Sequence, residues 1–363
     1  MDQINLFEEL GKFNPHLREH DSNDWKWTFK DYPKQENIKV FSCFACGGGS
    51  TMGYKLSGCK VLGDLEIDPR VNAVYVKNHN PRFNYLMDIR DFNKLEDLPE
   101  ELYSLDILDG SPPCTTFSIA GKREESWGVK KKFREGQAEQ TLDDLSFYFI
   151  DTAKKLKPKV VIMENVEGLL LGAAWSYVQE IYSKFYEAGY IVNHYLLKGE
   201  AIGVPQTRHR VFFIATRKDL NFDYINLDMN FNYKPVVYGD IKSGQGRPIN
   251  KNTEAYKYLS FANEQDKRLS DVYAKLGEKE RTFGTRICWD NNIMQTITSA
   301  GSYLRGQEKT FITDQDFISA STFPQDYDFL DQSAQYICGM SVPPIMIKRL
   351  VTRLKDTGIF KEV

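Results

Sequence analysis

Cysteine is scarce in this chain, with 6 in 363 residues. That excludes the disulfide-dense framework of small secreted domains. Cys43 and Cys46 form a CxxC pair, but no second pair follows at zinc-ligand spacing. The two therefore read as reduced thiols in a strand and a turn, and no metal is expected. Long apolar runs are missing, so no segment reads as a membrane span. Residues 1–9 have neither the charged start nor the apolar stretch of a secretory signal, which sets the expectation of a cytoplasmic protein. Surplus charge is also lacking. With 47 Lys and Arg against 50 Asp and Glu, the net charge is −3. A protein that held nucleic acid by bulk charge alone would be more basic. There is no low-complexity tract and no internal repeat.

What is present is a hydrophobic fraction of 41%, enough for a large core and about two domains. Residues 1–36 are polar, with Trp25 and Trp27 among them, and read as an N-terminal extension packed onto the main domain. Apolar runs at 38–44, 60–66, 85–87, 105–108 and 159–163 read as strands, with a helix at 68–79 and a closing pair of strands at 190–197 and 210–215. This alternation predicts an α/β fold of βαβ units around a mainly parallel sheet, with ligands at the carboxyl ends of its strands. From residue 221 to 335 Gly, Asn, Lys and Asp become frequent and the alternation is lost, as in a second, smaller domain. Residues 345–354 have helical periodicity and read as returning to the first domain.

Four clusters fall just past predicted strand ends. Gly47-Gly48-Gly49 opens a helix, and glycines let backbone approach a ligand beside a helix N-terminus. Glu66, at the next strand end, can accept from ribose hydroxyls, and Asp88, after the third strand, from an adenine amino group. A tight turn with two surface acids is the plain alternative. In Gly110-Ser111-Pro112-Pro113-Cys114 two prolines stiffen the chain directly before a cysteine, which presents the thiol on a rigid turn. Glu164-Asn165-Val166 offers a carboxyl group able to hold or deliver a proton at a ring nitrogen, or simply a helix cap. Gln206, Arg208 and Arg210 alternate, so as a strand they share a face that can bind phosphate or a base carbonyl, unless the strand is an exposed edge.

In this order the clusters resemble the C5-cytosine DNA methyltransferase family of bacterial and phage type, from about residue 38 to 354. The resemblance continues through Gln295-Thr296-Ile297-Thr298, a stretch at 313–327 with a Phe-Pro turn, and Gly339-Met340-Ser341-Val342-Pro343. It implies a Rossmann-like S-adenosylmethionine-dependent methyltransferase sheet over 37–218 and 336–363, with a smaller, irregular target-recognition domain and hinge over 219–335. The implied reaction moves a methyl group from S-adenosyl-L-methionine to C5 of a flipped-out cytosine in a specific duplex DNA sequence, leaving S-adenosyl-L-homocysteine. The same chemistry on tRNA, or a non-catalytic DNA-binding homologue, are the alternatives. A Cys-Phe-Thr signature typical of the RNA-directed branch is not found.

By the same resemblance, Cys114 attacks C6, Glu164 contacts N3 and the amino group, Arg208 holds the O2 side of the base and helps activate Cys114, and Arg210 supports the site. Phe44, Cys46, Gly48, Gly49, Glu66, Ile67, Asp88, Ile89, Pro112, Ser341 and Val342 are implied to bind the cofactor. Residues 115–141 resemble a loop that closes over the flipped base. Ser118, Lys130, Lys131, Lys132, Arg134, Gln206, Lys242, Gln245 and Arg247 are candidate DNA contacts. The implied partners are double-stranded DNA and a cognate restriction endonuclease, for a monomeric, nucleoid-associated enzyme. Four positions depart from the family pattern. Cys46 stands for a loop glycine, Ser42 for an acid, Thr115 for a Gln, and Met340 for an Asn.

Overall fold

The computed structural model describes residues 17–21, 24–113, 145–279 and 284–361. Cys114, Ser118, Lys130, Lys131, Lys132 and Arg134 lie outside the described residues, as does Thr115. The chain divides into two compact units. One comprises Tyr32–Leu197, His209–Asn230 and the chain from Ile347 onward, and it holds the large sheet. The other comprises the residues up to Asp31, Lys198–Arg208 and Phe231–Met346.

In the sheet unit the strands are β1 (Lys39–Cys43), β2 (Lys60–Glu66), β3 (Phe83–Leu86), β4 (Ile107–Gly110), β5 (Val160–Val166), β6 (Tyr190–Lys198) and β7 (His209–Arg217). Their order is β3-β2-β1-β4-β5-β7-β6. β3, β2, β1, β4 and β5 pair in parallel, and β7 runs antiparallel to β5. The order reverses between β1 and β4, and at such a switch point the crossovers leave on opposite faces and open a crevice at the strand ends. β4 is buried along its whole length, as expected of a strand covered on both faces.

The helices that matter here are α1 (Gly49–Leu56), α2 (Pro69–His79), α3 (Ile89–Phe92), α4 (Leu145–Leu156) and α5 (Trp175–Glu187). Asp68 caps α2 by accepting from the Arg70 N–H at 3.0 Å, and Pro69 fills the first helical position, where no N–H is needed. Phe41, Phe92, Leu108, Phe149, Val161, Met163, Ile181 and Phe213 form the core.

Several strand limits differ from the sequence reading. β5 runs on to Val166, so Glu164 and Asn165 lie within it rather than just past it, and β7 spans His209–Arg217. β3 begins at Phe83 because it pairs opposite Gly63, where a Cβ would stand 2.0 Å from the Phe83 carbonyl oxygen. β4 begins at Ile107, although the Asp106 N–H already donates to the Lys39 carbonyl at 3.0 Å. The Asp106 carboxylate accepts from the Lys39 N–H at 2.8 Å and pairs with Lys159 at 2.8 Å.

The second unit carries short strands. Arg286–Cys288, Tyr303–Arg305 and Thr310–Phe311 form one small sheet, and Gln206–Thr207 pairs in parallel with Met294–Gln295. Its core gathers Tyr258, Leu259, Leu269, Val272, Tyr273 and Trp289. A buried Arg305 guanidinium lies 2.7 Å from Asp316, whose carboxylate also accepts from the Tyr238 hydroxyl at 2.7 Å. Trp27 is buried in this unit, and its indole N–H donates to the Thr322 carbonyl at 2.9 Å. The described residues of the N-terminal stretch up to Asp31 group with this unit, and residues 32–36 with the sheet unit. Among the described residues no helix is long and apolar enough to cross a membrane.

Candidate active site

The site is built from three strand ends of the sheet unit. After β1 the chain makes a turn with three left-handed residues, Phe44 (φ 54°), Cys46 (φ 48°) and Gly48 (φ 81°). Only glycine takes this conformation without strain, and a non-glycine residue there costs roughly 1–2 kcal/mol. Cys46 therefore bears backbone strain at the very position where the family pattern has glycine. Behind the turn His79 closes the space. Its Nε2 lies 3.2 Å from the Gly47 carbonyl oxygen, and a Cβ on Gly48 would stand 2.1 Å from that same nitrogen. Burial, with Lys55 nearby, lowers the His79 pKa to about 3, so the ring is neutral. Cys43 and Cys46 are free thiols at the strand end and in the turn, as the sequence suggested.

Glu66 ends β2 and ties the turn to the next loop. One carboxylate oxygen accepts from the Cys46 N–H at 2.9 Å. The other accepts from the N–H groups of Ile67 (2.8 Å) and Asp68 (2.9 Å). Burial pushes the carboxyl upward, and these three donors oppose it. A carboxylate has about four lone-pair sites, so roughly one stays open for a ligand hydroxyl. A small surface hollow adjoins it, lined by Phe44, Glu66, Ile67, Met87, Asp88 and Ile89 among others. Five residues expected at the cofactor thus meet around one space. Asp88 is partly engaged. It caps α3 through the Arg90 N–H at 2.8 Å and pairs with the Arg90 guanidinium at 3.0 Å.

The third strand end holds the acid. Glu164, on β5, is 8% exposed and lies 2.8 Å from Nε of Arg210 on β7. β5 and β7 run antiparallel with Val166 opposite Arg210, so the guanidinium reaches back along the strand to the acid. Next to it the Asn165 amide donates to the Pro112 carbonyl at 3.4 Å. The acid strand is thereby joined to the proline turn that leads into Cys114, with Gly110 of β4 in register opposite Met163. Gly110 has no room for a side chain, because a Cβ would meet the Phe149 ring at 2.4 Å.

This arrangement of turn, acid and proline strand corresponds to a known family. The model for C-5 cytosine-specific DNA methylases matches residues 38–356. The chain belongs to that family. It is 33% identical to the Type II methyltransferase M.FnuDI of Fusobacterium nucleatum over 184 residues, 51% of this chain and 48% of that protein. Over 317 residues it is 26% identical to the Type II methyltransferase M.Sau96I of Staphylococcus aureus, covering 82% and 70% of the two chains. The chain spans about half the length of the first curated relatives it matches. Among solved structures, a putative DNA modification methyltransferase encoded within an Escherichia coli prophage superposes with a TM-score of 0.61 at 19% identity, over 88% of this chain and 99% of that one. Spodoptera frugiperda DNMT2 gives 0.61 at 17%, over 88% and 100%. At these identities the likeness shows the fold.

Other expected residues of this methylase-family chain fall in the second unit. Arg208 is 3% exposed there and donates to the carbonyls of Ile297 (3.0 Å) and Gly339 (3.2 Å). Ser341 and Val342 are buried in the same unit, while Met340 is 46% exposed. A Cβ on Gly339 would meet the Thr298 backbone at 2.4 Å, which explains the glycine of that motif.

One expected DNA contact, Gln206, needs correction. Gln206 is fully buried. Its amide donates to the Ala320 carbonyl at 2.9 Å and its oxygen accepts from the Ile297 N–H at 3.0 Å, so it holds the fold. Lys242 is held between Asp290 and Glu308. Gln245 and Arg247 are exposed, and the Arg247 guanidinium lies 4.4 Å over the Phe311 ring.

The sequence reading missed two features. His79 gives no sequence signal, since its place behind the turn depends on where α2 docks. Lys267, Arg268 and Arg286 line an open hollow of the second unit with Thr207, Gln295 and Thr296. The adjacent cations Lys267 and Arg268 were the available signal.

Proposed function

We propose that this chain methylates C5 of cytosine in duplex DNA, with Cys114 as the nucleophile. The observation that carries the reading is the bond from Asn165 to Pro112, which fixes the strand bearing Glu164 beside the turn leading into Cys114. The cofactor residues fit S-adenosyl-L-methionine. Glu66 keeps about one lone pair for a ribose hydroxyl. Phe44, Ile67 and Ile89 supply apolar walls beside it, and Asp88 borders the same hollow. The glycine turn leaves no space for a side chain at Gly48.

C5 of cytosine is a poor nucleophile until C6 is attacked. The Cys114 thiolate forms a bond to C6 while Glu164 holds a proton at N3, and the ring becomes enamine-like at C5. The cofactor supplies an electrophilic methyl group when bound. Loss of the C5 proton and expulsion of the thiolate then restore the ring. Arg210 keeps the Glu164 carboxyl aimed and its charge balanced. C6 is shielded by stacking in a duplex, so the base must leave the helix first. Duplex DNA is the proposed partner, and pairing with a restriction endonuclease and a monomeric, nucleoid-associated state complete the reading.

Bisulfite sequencing of both DNA and tRNA from cells expressing the chain, beside cells expressing Cys114→Ala, tests this. Methylated cytosines in one sequence context are expected with the wild type and none with the variant. Methylation by the variant overturns the nucleophile, and marks confined to tRNA overturn the substrate.

A further inference from the structure

β1 and β4 lie side by side with Ser42 directly opposite Asp109. Ser42 occupies a position where the family pattern has an acid, and the acid stands instead on the paired residue of the next strand. Asp109 is 2% exposed. Its carboxylate accepts from the Ser42 hydroxyl at 2.7 Å and the Tyr54 hydroxyl at 2.9 Å. Tyr54 belongs to α1, the helix opened by the glycine turn. Asp109 itself lies on the strand that runs into the proline turn. One buried carboxylate therefore grips the end of β1, the helix after the cofactor turn, and the approach to Cys114. A buried charge is tolerated when such donors satisfy it, and each is lost if the acid is removed.

We propose that Asp109 is a positioning residue, a carboxylate exchanged from β1 to its partner position on β4 that holds the cofactor turn and the nucleophile strand in one fixed relation. Its effect on turnover rests on the methyltransferase reading above, whereas the exchange itself is a statement about packing. Burial raises the Asp109 carboxyl to about 7, and Glu164 contributes to the rise, so a second acid at Ser42 would be strongly disfavoured.

The test is a double-mutant cycle with Asp109→Ser, Ser42→Asp and the two combined. Melting temperature and affinity for S-adenosylhomocysteine are measured for each. Asp109→Ser should lower the melting temperature and weaken S-adenosylhomocysteine binding about tenfold or more. Ser42→Asp alone, with two acids in contact, should also lower the melting temperature. The combined variant should recover both properties to within about threefold in affinity. In turnover, Asp109→Ser should raise KM for the cofactor about tenfold and leave KM for duplex DNA within about twofold. A combined variant no better than Asp109→Ser, or Asp109→Ser indistinguishable from wild type, overturns the proposal. If wild-type protein does not bind S-adenosylhomocysteine, the cofactor reading fails, while the melting-temperature cycle still decides the exchange.

Discussion

Nε of Arg210 lies 2.8 Å from the Glu164 carboxylate, with both side chains largely buried. Burial lowers the arginine pKa, and Glu164 and then Glu167 oppose that fall. Removing one member of such a pair strands a buried charge, which costs about 3–5 kcal/mol. Arg210→Ala should therefore lose about that much stability in denaturant titrations. Glu164→Gln keeps an acceptor for Nε and should stay folded. Its single-turnover methylation rate should fall by about 10²–10⁴, the usual worth of a placed acid or base. A Gln variant with wild-type rate would remove Glu164 from the chemistry.

Gly48 is predicted to be irreplaceable for two separable reasons. Its φ of 81° strains any side chain, and a Cβ would strike His79. Gly48→Ala should destabilise by about 1–3 kcal/mol, the range for backbone strain and overpacking. Trimming the obstacle separates the two effects. In Gly48→Ala/His79→Ala the clash is gone and the φ strain stays, so the second change should cost less than His79→Ala does alone. Additive losses in chemical denaturation would show that the alanine escapes the histidine by another route.

His79 also makes stability depend on pH. Its folded pKa is about 3, against an ordinary value of 6.5. Between these values the unfolded chain binds a proton that the folded chain refuses. The His79 contribution is complete above pH 6.5 and fades as the pH falls toward 3. The loss is at most about 1.4 kcal/mol for each pH step of one within that window. Asp64 and Asp109 act in the opposite direction. Burial raises both to about 7, so below that pH the fold takes up protons and gains relative to the unfolded chain. Wild type minus His79→Gln isolates the histidine, because the amide can still donate to Gly47. The melting-temperature advantage of wild type should shrink between about pH 7 and about pH 4.5, which spans the upper part of that window. A constant difference would place the imidazole in water.

The sheet was legible because its strands are apolar runs broken by glycine, proline and acids, and each break marks a strand end. Glu66 was legible for the same reason, as the acid that ends β2, whereas Glu164 lies within β5 two residues before its end. Gln206 was not legible. A polar residue in an alternating segment reads as exposed, but whether it is depends on what packs over it. For Gln206 this is the backbone of Ala320 and Ile297, distant in sequence. Asp109 was hidden differently. It sits inside the run ending β4, and its meaning appears only once the register sets it against Ser42.

The same distinction between held and available cations yields a prediction about DNA. Lys242 is neutralised by Asp290 and Glu308, whereas Lys267, Arg268 and Arg286 line an open hollow with Gln295 and Thr296. Arg286 is also stiffened, its guanidinium 5.0 Å from the Tyr303 ring. A phosphate contact releases counterions, and its loss lowers the slope of log K against log salt by about 1. Lys267→Gln and Arg268→Gln should each show that drop with duplex DNA while melting normally. Lys242→Gln should do the reverse. It should leave the salt slope unchanged and lower the melting temperature, because two acids lose their partner. If Lys242→Gln changes the slope and the other two do not, DNA meets the face bearing Lys242, and its acids serve to orient the lysine rather than to occupy it.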